Sequence, residues 1–166
     1  MSAVLARARP TLRPMTERDL SLVASIERKA YPFPWSATIF RDCLRVGYSC
    51  WLAEVDGLVA GYAILSVASG EAHILNLCVA PEWQGRGVGR ALLDRLVFLA
   101  RYHRAQGVFL EVRPSNVAAR RLYERAGFLE VGRRPRYYPA DEDREDAIIM
   151  SLSLGLSPDV ADLDPV

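Results

Sequence analysis

The sequence predicts an α/β domain, in which the strands of a sheet alternate with helices, and three observations support that prediction. Apolar runs over residues 49–55 and 58–69 flank Asp56-Gly57, the strongest short signal for a β-hairpin. A third strand-like run, over 71–79, precedes a long amphipathic segment. A short buried run over 108–112 precedes a second helical segment. Strand, helix, strand and helix in this order are typical of a parallel crossover.

Length and composition fit a single domain. The chain has 166 residues, of which 51% are hydrophobic, enough for one core. We expect an N-terminal extension over residues 1–10, one domain over 11–154 and a disordered tail over 155–166, which is rich in aspartate and proline. The 21 basic and 20 acidic residues leave a net charge of +1. No global field therefore favours direct binding to nucleic acid or to a membrane.

The cysteines indicate neither disulfides nor a metal centre. Cys43, Cys50 and Cys78 are odd in number and lack the spacing of zinc sites, so we expect reduced, buried thiols and no metal. No window holds about 18 uncharged apolar residues, and the N-terminus lacks the apolar core of a signal peptide. These features predict a cytoplasmic protein.

The first part of the chain predicts a short strand and two helices. Residues 11–14 can form the strand, and Thr16 with Asp19 has the spacing of a capping box for a helix that ends near residue 30. Ser36 is expected to cap a second helix, to about residue 46. Two prolines interrupt the chain between these helices and leave an aromatic elbow, defined as residues 31–35.

Apolar periodicity predicts two more helices. The first begins near residue 87, and its expected buried face comprises Leu92, Leu93, Leu96, Val97, Leu99, Ala100 and His103. The second lies between Asn116 and Gly127. Strands over 129–132 and 147–154 are expected to complete the sheet.

The loop Gln84-Gly85-Arg86-Gly87-Val88-Gly89 leads from a strand into a helix. Glycines allow a ligand to approach the backbone closely, and the unpartnered N–H groups of a first helical turn favour a diphosphate. A Walker loop would need Gly-Lys-Ser or Gly-Lys-Thr, yet the only lysine is Lys29. A dinucleotide loop would need a third glycine where Arg90 stands. The loop therefore predicts a phosphate ligand of another kind.

Three polar residues downstream are candidates for chemistry, each with a structural alternative. Glu111 stands inside an apolar strand, where an ionised carboxylate is costly unless it has a partner such as Arg113 or a catalytic task. Asn116 has the residue type of a helix N-cap, which explains it fully. Tyr123, on spacing alone, would only pack its helix on the sheet. The residues alone therefore favour a functional role for Glu111.

Short motifs follow one another in a fixed order over most of residues 11–154. They are Phe33-Pro34-Trp35-Ser36, Asn76-Leu77-Cys78-Val79, residues 84–93, Leu110-Glu111-Val112-Arg113, Ser115-Asn116, Leu122-Tyr123-Glu124, Gly127-Phe128, Tyr137-Tyr138-Pro139 and residues 144–150. Their ordered sum resembles the GNAT acetyltransferase superfamily and, within it, the branch of ribosomal-protein-alanine N-acetyltransferases called RimI. The resemblance implies the GNAT fold, an α/β fold with a mixed, splayed β-sheet and helices on both faces.

The resemblance also implies acetyl-CoA as co-substrate, without a metal. The residues expected to bind it are Leu77, Cys78, Val79, Gln84, Gly85, Arg86, Gly87, Val88, Gly89, Arg90 and Asn116. Backbone N–H groups of residues 77–79 would receive the acetyl carbonyl. Glu111 would be the general base and Tyr123 the general acid. A peptide α-amino group has a pKa of about 7.7 to 8.0, so a base of modest strength suffices to deprotonate it.

The acceptor implied by the resemblance is a protein N-terminus, namely the N-terminal alanine of a small-subunit ribosomal protein. The side chains expected beside the acceptor channel are Tyr31, Phe33, Trp35, Tyr137 and Tyr138. Two alternatives remain open: an acetyltransferase for lysine side chains or small-molecule amines, and a non-catalytic acyl-CoA sensor. The acidic residues 141–146 are expected to form a solvated loop, and His73 to be structural. The oligomeric state does not follow from the sequence.

Overall fold

The structure is a computed structural model that describes residues 9–155. Residues 1–8 of the expected extension and residues 156–166 of the expected tail lie outside this range. The chain divides into two compact units. The first holds the described chain up to Ser66 together with Ile74–Leu96, and the second holds Val67–His73 and the chain from Val97 onward.

The strands of the first unit follow one another in space as they do in the chain. They are β1 (Thr11–Pro14), β2 (Ser49–Val55), β3 (Leu58–Ala68) and β4 (Glu71–Val79), except that the end of β3 and the start of β4, within Val67–His73, belong to the second unit. Strand β2 is antiparallel to both β1 and β3. Asp56 and Gly57 join β2 to β3 with φ values of 52° and 78°, the left-handed backbone that a two-residue hairpin turn needs. The predicted hairpin is confirmed.

Two helices separate β1 from β2, α1 (Leu20–Ala30) and α2 (Ala37–Val46), and their predicted caps are confirmed. The N–H of Thr16 donates to Asp19 Oδ2 over 2.8 Å, although a 3-10 turn, Glu17–Asp19, precedes the α-helix. The N–H of Ile39 donates to Ser36 Oγ over 3.3 Å. The capping box thus lies at the 3-10 turn that leads into α1, and Ser36 caps α2 directly.

The core of the first unit lies among the apolar faces of α1 and α2 and the inward-facing rows of its strands. Its buried members are Met15, Leu20, Val23, Ile26, Phe40, Cys43, Cys50, Leu52, Tyr62, Ile64, Cys78 and Ala80. The rings of Phe40 and Tyr62 meet edge to face, with 5.5 Å between their centroids. This core fixes the position of β4 and thereby the start of the glycine-rich loop.

The second unit carries β5 (Gly107–Val112), β6 (Leu129–Pro139) and β7 (Arg144–Ser153) in the spatial order β5-β7-β6. Strand β7 is antiparallel to both neighbours. Helix α3 (Val88–Tyr102), whose second half belongs to this unit, precedes β5, and α4 (Val117–Arg125) connects β5 to β6. The alternation of strands and helices agrees with the predicted α/β class.

Several element boundaries differ from the prediction, and β7 begins at Arg144 instead of residue 147. Strand β6 continues to Pro139 because its pairing with β7 is irregular between Arg134 and Tyr138, where Arg136 has a φ of 54°. Such a bulge lets pairing resume after a run of arginines and a proline. Helix α3 ends at Tyr102, so His103 follows the helix and is exposed instead of lying on its buried face.

The start of the first unit contains a charge cluster that makes its stability depend on pH. The Arg13 guanidinium contacts both Asp19 carboxylate oxygens, at 2.8 and 2.9 Å, and its Nε lies 2.6 Å from Glu54. The hydrogen bonds from Arg13 lower the pKa of Asp19 to about 2. A lowered pKa means that this stabilisation is present above the ordinary carboxyl range and is lost as the pH falls towards 2.

We expect Asp19→Asn to lower the free energy of unfolding by about 1 to 2 kcal/mol at neutral pH. The difference from the parent should shrink between about pH 4 and pH 2, because Asp19 of the parent is then protonated. Denaturant titrations at neutral pH and at about pH 2 measure this difference in the free energy of unfolding, with Glu17→Gln in the same turn as control. An equal difference at both pH values would show that the charge of Asp19 is not responsible.

Candidate active site

The glycine-rich loop of the first unit has the backbone geometry of an anion site. Gly85 and Gly87 have φ values of 74° and 90°, which residues with a Cβ rarely adopt. Helix α3 follows at Val88, and the N–H of Ala91 donates to the Gly87 carbonyl. The N–H groups of residues 88–90 therefore have no acceptor within the helix. A Cβ at Gly87 would meet nothing within 4 Å, so the side of Gly87 on which a side chain would stand is open.

Side chains of the loop support it from its edges. Gln84 Nε2 donates to the Val79 carbonyl over 3.2 Å and so ties the loop to the end of β4. The guanidinium of Arg86 lies 4.7 Å from the Trp83 ring centroid. Arg90 pairs with Asp94 one helical turn later, at 2.9 Å. Three side chains of the loop and the helix start thus contact neighbouring groups of the protein.

The end of β4 is held tightly by its neighbours in the first unit. A Cβ at Gly61 of β3 would lie 2.6 Å from the Cys78 carbonyl oxygen, so only glycine fits there. The Tyr31 hydroxyl donates to the Leu77 carbonyl over 3.0 Å, and the N–H of Ala80 donates to the Ala60 carbonyl over 2.8 Å. The backbone of residues 77–79 is therefore fixed from several directions.

Glu27 was missed by the sequence analysis. Its side chain is 2% exposed, and it is the one buried charged residue within residues 9–155. Asn76 Nδ2 lies 3.0 and 3.1 Å from the two carboxylate oxygens. Burial raises the pKa of Glu27, and the hydrogen bond from Asn76 opposes that rise. The sequence feature that could have indicated its burial is its position two helical turns after Leu20, on the apolar face of the helix.

Tyr62 and Cys78 lie close to Glu27 in the same core. The Tyr62 hydroxyl is fully buried and lacks a well-aligned hydrogen-bond partner within residues 9–155. Its pKa is raised by burial first and then by the neighbouring Cys78 and Glu27. Burial also raises the pKa of Cys78 to about 11 and that of Cys50 to about 12. These thiols are protonated at neutral pH and are therefore poor nucleophiles.

The aromatic elbow is divided between core and surface. Trp35 packs on Phe40, with 5.4 Å between ring centroids, and Tyr31 is bonded to β4 as described above. Phe33 is 42% exposed. Of the three elbow residues expected at the acceptor channel, Phe33 presents the most open side chain.

Glu111 lies on β5 of the second unit, directly opposite Ile149 of β7. Its Oε1 is 3.0 Å from Arg134 Nε, and its side chain is 27% exposed. The Tyr137 hydroxyl also hydrogen-bonds to this carboxylate, whose negative charge is the main reason that the pKa of Tyr137 is raised. Arg113, the partner considered from the sequence, instead donates to the Pro139 carbonyl over 2.7 Å. A carboxylate that is paired yet accessible can accept a proton.

Tyr137 and Tyr138 lie in strand β6 and not in a loop, because the bulged strand continues through them. Their rings meet edge to face, 4.9 Å apart. Arg113 lies 4.5 Å from the Tyr138 ring centroid. Burial raises the pKa of Tyr138 to about 12, so this phenol keeps its proton at neutral pH.

Asn116 and Tyr123 belong to α4 and its start. Asn116 Oδ1 accepts the N–H of Ala119 over 3.3 Å, which confirms the helix cap. Tyr123 is 5% exposed and packs on Phe128 with 5.7 Å between ring centroids. Its ring is thus held in one place by the core of the second unit, whatever its hydroxyl does.

The acidic segment is only partly the solvated loop that was expected. Glu145 and Asp146 lie in β7 and are half-buried. Glu145 accepts the N–H and the hydroxyl of Ser115, over 2.7 and 2.9 Å. Burial acts to raise the pKa of Glu145, but the hydrogen bonds from Ser115 and Arg113 outweigh it and lower the pKa. Glu145 therefore anchors the turn before α4.

Comparison with known proteins identifies the class to which this site belongs. The sequence model of the acetyltransferase (GNAT) family matches residues 19–128. The ribosomal protein bS18-alanine N-acetyltransferase of Escherichia coli K12 is 38% identical over 146 residues, which are 88% of this chain and 99% of that protein.

Solved structures show the same relationship. The crystal structure of the ribosomal-protein-S18-alanine N-acetyltransferase from Escherichia coli superposes with a TM-score of 0.84 at 36% identity, covering 95% of this chain and 100% of that chain. Ard1 from Thermoplasma volcanium superposes with a TM-score of 0.80 at 29% identity, covering 89% of this chain and 99% of that chain.

The chain belongs to the GNAT acetyltransferase family, and the predicted fold class is confirmed. It is an acyltransferase whose co-substrate is acetyl-CoA, and the loop geometry fits the diphosphate of that molecule. Residues 9–155 contain no group of three or more His, Cys, Asp or Glu side chains that could hold a metal ion. In the same range, no helix is both long and apolar enough to cross a membrane.

Proposed function

We propose that this protein transfers the acetyl group of acetyl-CoA to the α-amino group of the N-terminal alanine of ribosomal protein bS18. The observation that supports this most is the 38% identity to the Escherichia coli enzyme of that name, over 99% of its length. The partner in this proposal is a protein N-terminus, and the reaction takes place in a ternary complex without a covalent acetyl-enzyme. The buried, protonated Cys78 supports the direct route.

In this proposal the first unit holds the donor. Residues 84–90 bind the diphosphate through the backbone N–H groups at the start of α3, and the backbone of residues 77–79 binds the acetyl carbonyl. Asn116 is proposed to add a contact to the co-substrate beyond its capping role. Bound acetyl-CoA supplies a thioester, whose carbonyl carbon is the target of the acceptor amine.

Glu111 is proposed to take the proton from the acceptor's α-amino group, directly or through water. Arg134 and Tyr137 both contact its carboxylate and thereby orient it. Because an α-amino group has a pKa of about 7.7 to 8.0, a weak base is enough to convert it into the neutral nucleophile at physiological pH. A lysine side chain, with a pKa of about 10.4, would need far more.

Tyr123 is proposed to give its hydroxyl proton to the sulfur that departs. The packing of its ring on Phe128 and its burial keep the phenol at one place, so the proton is delivered without a search over rotamers. The acceptor peptide is proposed to contact Tyr31, Phe33, Trp35, Tyr137 and Tyr138. Phe33 and Tyr137 are 42% and 43% exposed, which supports their availability.

A pair of synthetic peptides tests the acceptor. One begins with a free alanine and contains no lysine, and the other has the same sequence with a blocked N-terminus and one added lysine. We expect acetylation of the first peptide only, as measured by CoA release and by mass spectrometry. Acetylation of the second alone would favour a lysine acetyltransferase, and CoA binding without turnover on any amine would favour the sensor alternative.

A further inference from the structure

A polar cluster lies inside the otherwise apolar core of the first unit, and we call it the β4 cluster. It consists of Glu27, Tyr31, Tyr62, Asn76 and Cys78. Asn76 and Cys78 stand two residues apart on β4, where side chains alternate between the two faces of a sheet, and Cys78 is buried in this core. Asn76 is matched by Glu27 of α1, whose two oxygens lie 3.0 and 3.1 Å from its amide nitrogen.

The β4 cluster ties α1 to consecutive residues of β4. Glu27 accepts from the side chain of Asn76, and Tyr31, which directly follows α1, donates to the carbonyl of Leu77 over 3.0 Å. The next residues are Cys78, whose carbonyl oxygen faces Gly61, and Val79, whose carbonyl accepts from Gln84. The contacts from α1 therefore end at the residues proposed to hold the acetyl carbonyl.

A carboxylate in this core is not explained by stability. Glu27 is 2% exposed, and a buried charge loses several kcal/mol of hydration that its partners only partly restore. An apolar side chain of similar size at a buried polar position often stabilises a protein equally well. What an apolar residue could not do is accept two directed contacts from Asn76 and so fix the angle of the β4 backbone.

We propose that Glu27 is a positioning residue for the acyl group: acting through Asn76, it orients the backbone N–H groups of residues 77–79 towards the acetyl carbonyl oxygen. This inference rests on the proposed function, because it assumes that these N–H groups bind that oxygen. Glu27 itself does not touch the substrates. Its effect is therefore specific to the acetyl end of the co-substrate and absent from the diphosphate end.

CoA and acetyl-CoA provide the comparison that isolates this role. Both carry the diphosphate that the loop is proposed to bind, but only acetyl-CoA has the acetyl carbonyl. In Glu27→Gln we expect kcat to fall by about tenfold to a hundredfold. Calorimetry should show weaker binding of acetyl-CoA, while the affinity for CoA stays within about threefold of the parent. Glu54→Gln, which removes a partly buried carboxylate of the same unit from its pairing with Arg13, is the matched control.

A second variant approaches the same contact from β4. Asn76→Ser removes the donor and leaves Glu27 in place, and it should reproduce the selective loss of acetyl-CoA binding. The double variant should be no worse than the more damaging single variant, because both changes break one interaction. The proposal is overturned by unchanged kcat in Glu27→Gln, by equal losses of CoA and acetyl-CoA affinity, or by failure of both single variants to fold.

The outcome is separable from that of the proposed function. The kcat of the Glu27 and Asn76 variants can be measured with whichever amine the parent enzyme accepts. An error in the proposed acceptor would therefore show only when the parent enzyme is tested with the two peptides. Failure of the present proposal appears in the Glu27 and Asn76 variants: as an unchanged kcat, as equal losses of CoA and acetyl-CoA affinity, or as a failure to fold.

Discussion

Replacement of Glu111 by glutamine is expected to lower the rate of acetyl transfer by about a hundredfold or more and to leave CoA binding intact. Glutamine has nearly the same size and keeps one carbonyl oxygen, so β5 can retain its pairing with β7. It cannot accept a proton at neutral pH. Steady-state rates with an alanine-starting peptide, together with calorimetric binding of CoA, measure the two effects separately.

The structure explains why folding should survive this change. Glu111 is 27% exposed and its partner Arg134 is 57% exposed, and ion pairs of this kind contribute at most about 1 kcal/mol. Glu130→Gln is the matched control, since Glu130 pairs with Arg133 at 2.8 Å in the same unit but has no proposed role. If Glu111→Gln and Glu130→Gln turned over at the parental rate, Glu111 would not be the base.

Replacement of Tyr123 by phenylalanine is expected to lower kcat by about a hundredfold, with little effect on the KM for acetyl-CoA. The variant lacks only the hydroxyl, and the ring can keep its contact with Phe128 at 5.7 Å between centroids. A loss confined to kcat would indicate that the hydroxyl acts in the transition state and not in binding.

The same change at Tyr102 serves as the control for Tyr123. Tyr102 is 72% exposed on α3, where it stacks on Phe98. Tyr102→Phe should therefore keep the parental kcat. Thermal unfolding of both variants shows whether the lost hydroxyl matters to folding. A Tyr123→Phe variant with parental kcat would leave the aromatic packing as the only role of this residue.

The features that sequence reasoning predicted well are those set by local chemistry. The Asp56-Gly57 turn needs left-handed backbone, Thr16 and Ser36 cap helices, and the glycines of residues 84–89 permit positive φ. Each depends on a few neighbouring residues, so the amino-acid types alone determine it.

The features that escaped prediction depend on contacts between distant segments. Arg134, not Arg113, pairs with Glu111, because β6 continues across a bulge that neither hydrophobic alternation nor turn residues reveal. Glu27 was missed because no residue near it in the sequence marks it as buried. Its partner, Asn76, lies 49 positions away on β4. Pairings of this kind follow from the tertiary fold.

If the acceptor is the N-terminal alanine of a small-subunit ribosomal protein, the acetylation of that N-terminus in cells depends on this enzyme. Mass spectrometry would compare ribosomes from cells that contain this protein with ribosomes from cells that lack it. We expect the alanine N-terminus of bS18 to carry an acetyl group in the cells that contain the protein and to be free in the cells that lack it. An identical state of that N-terminus in both would contradict it.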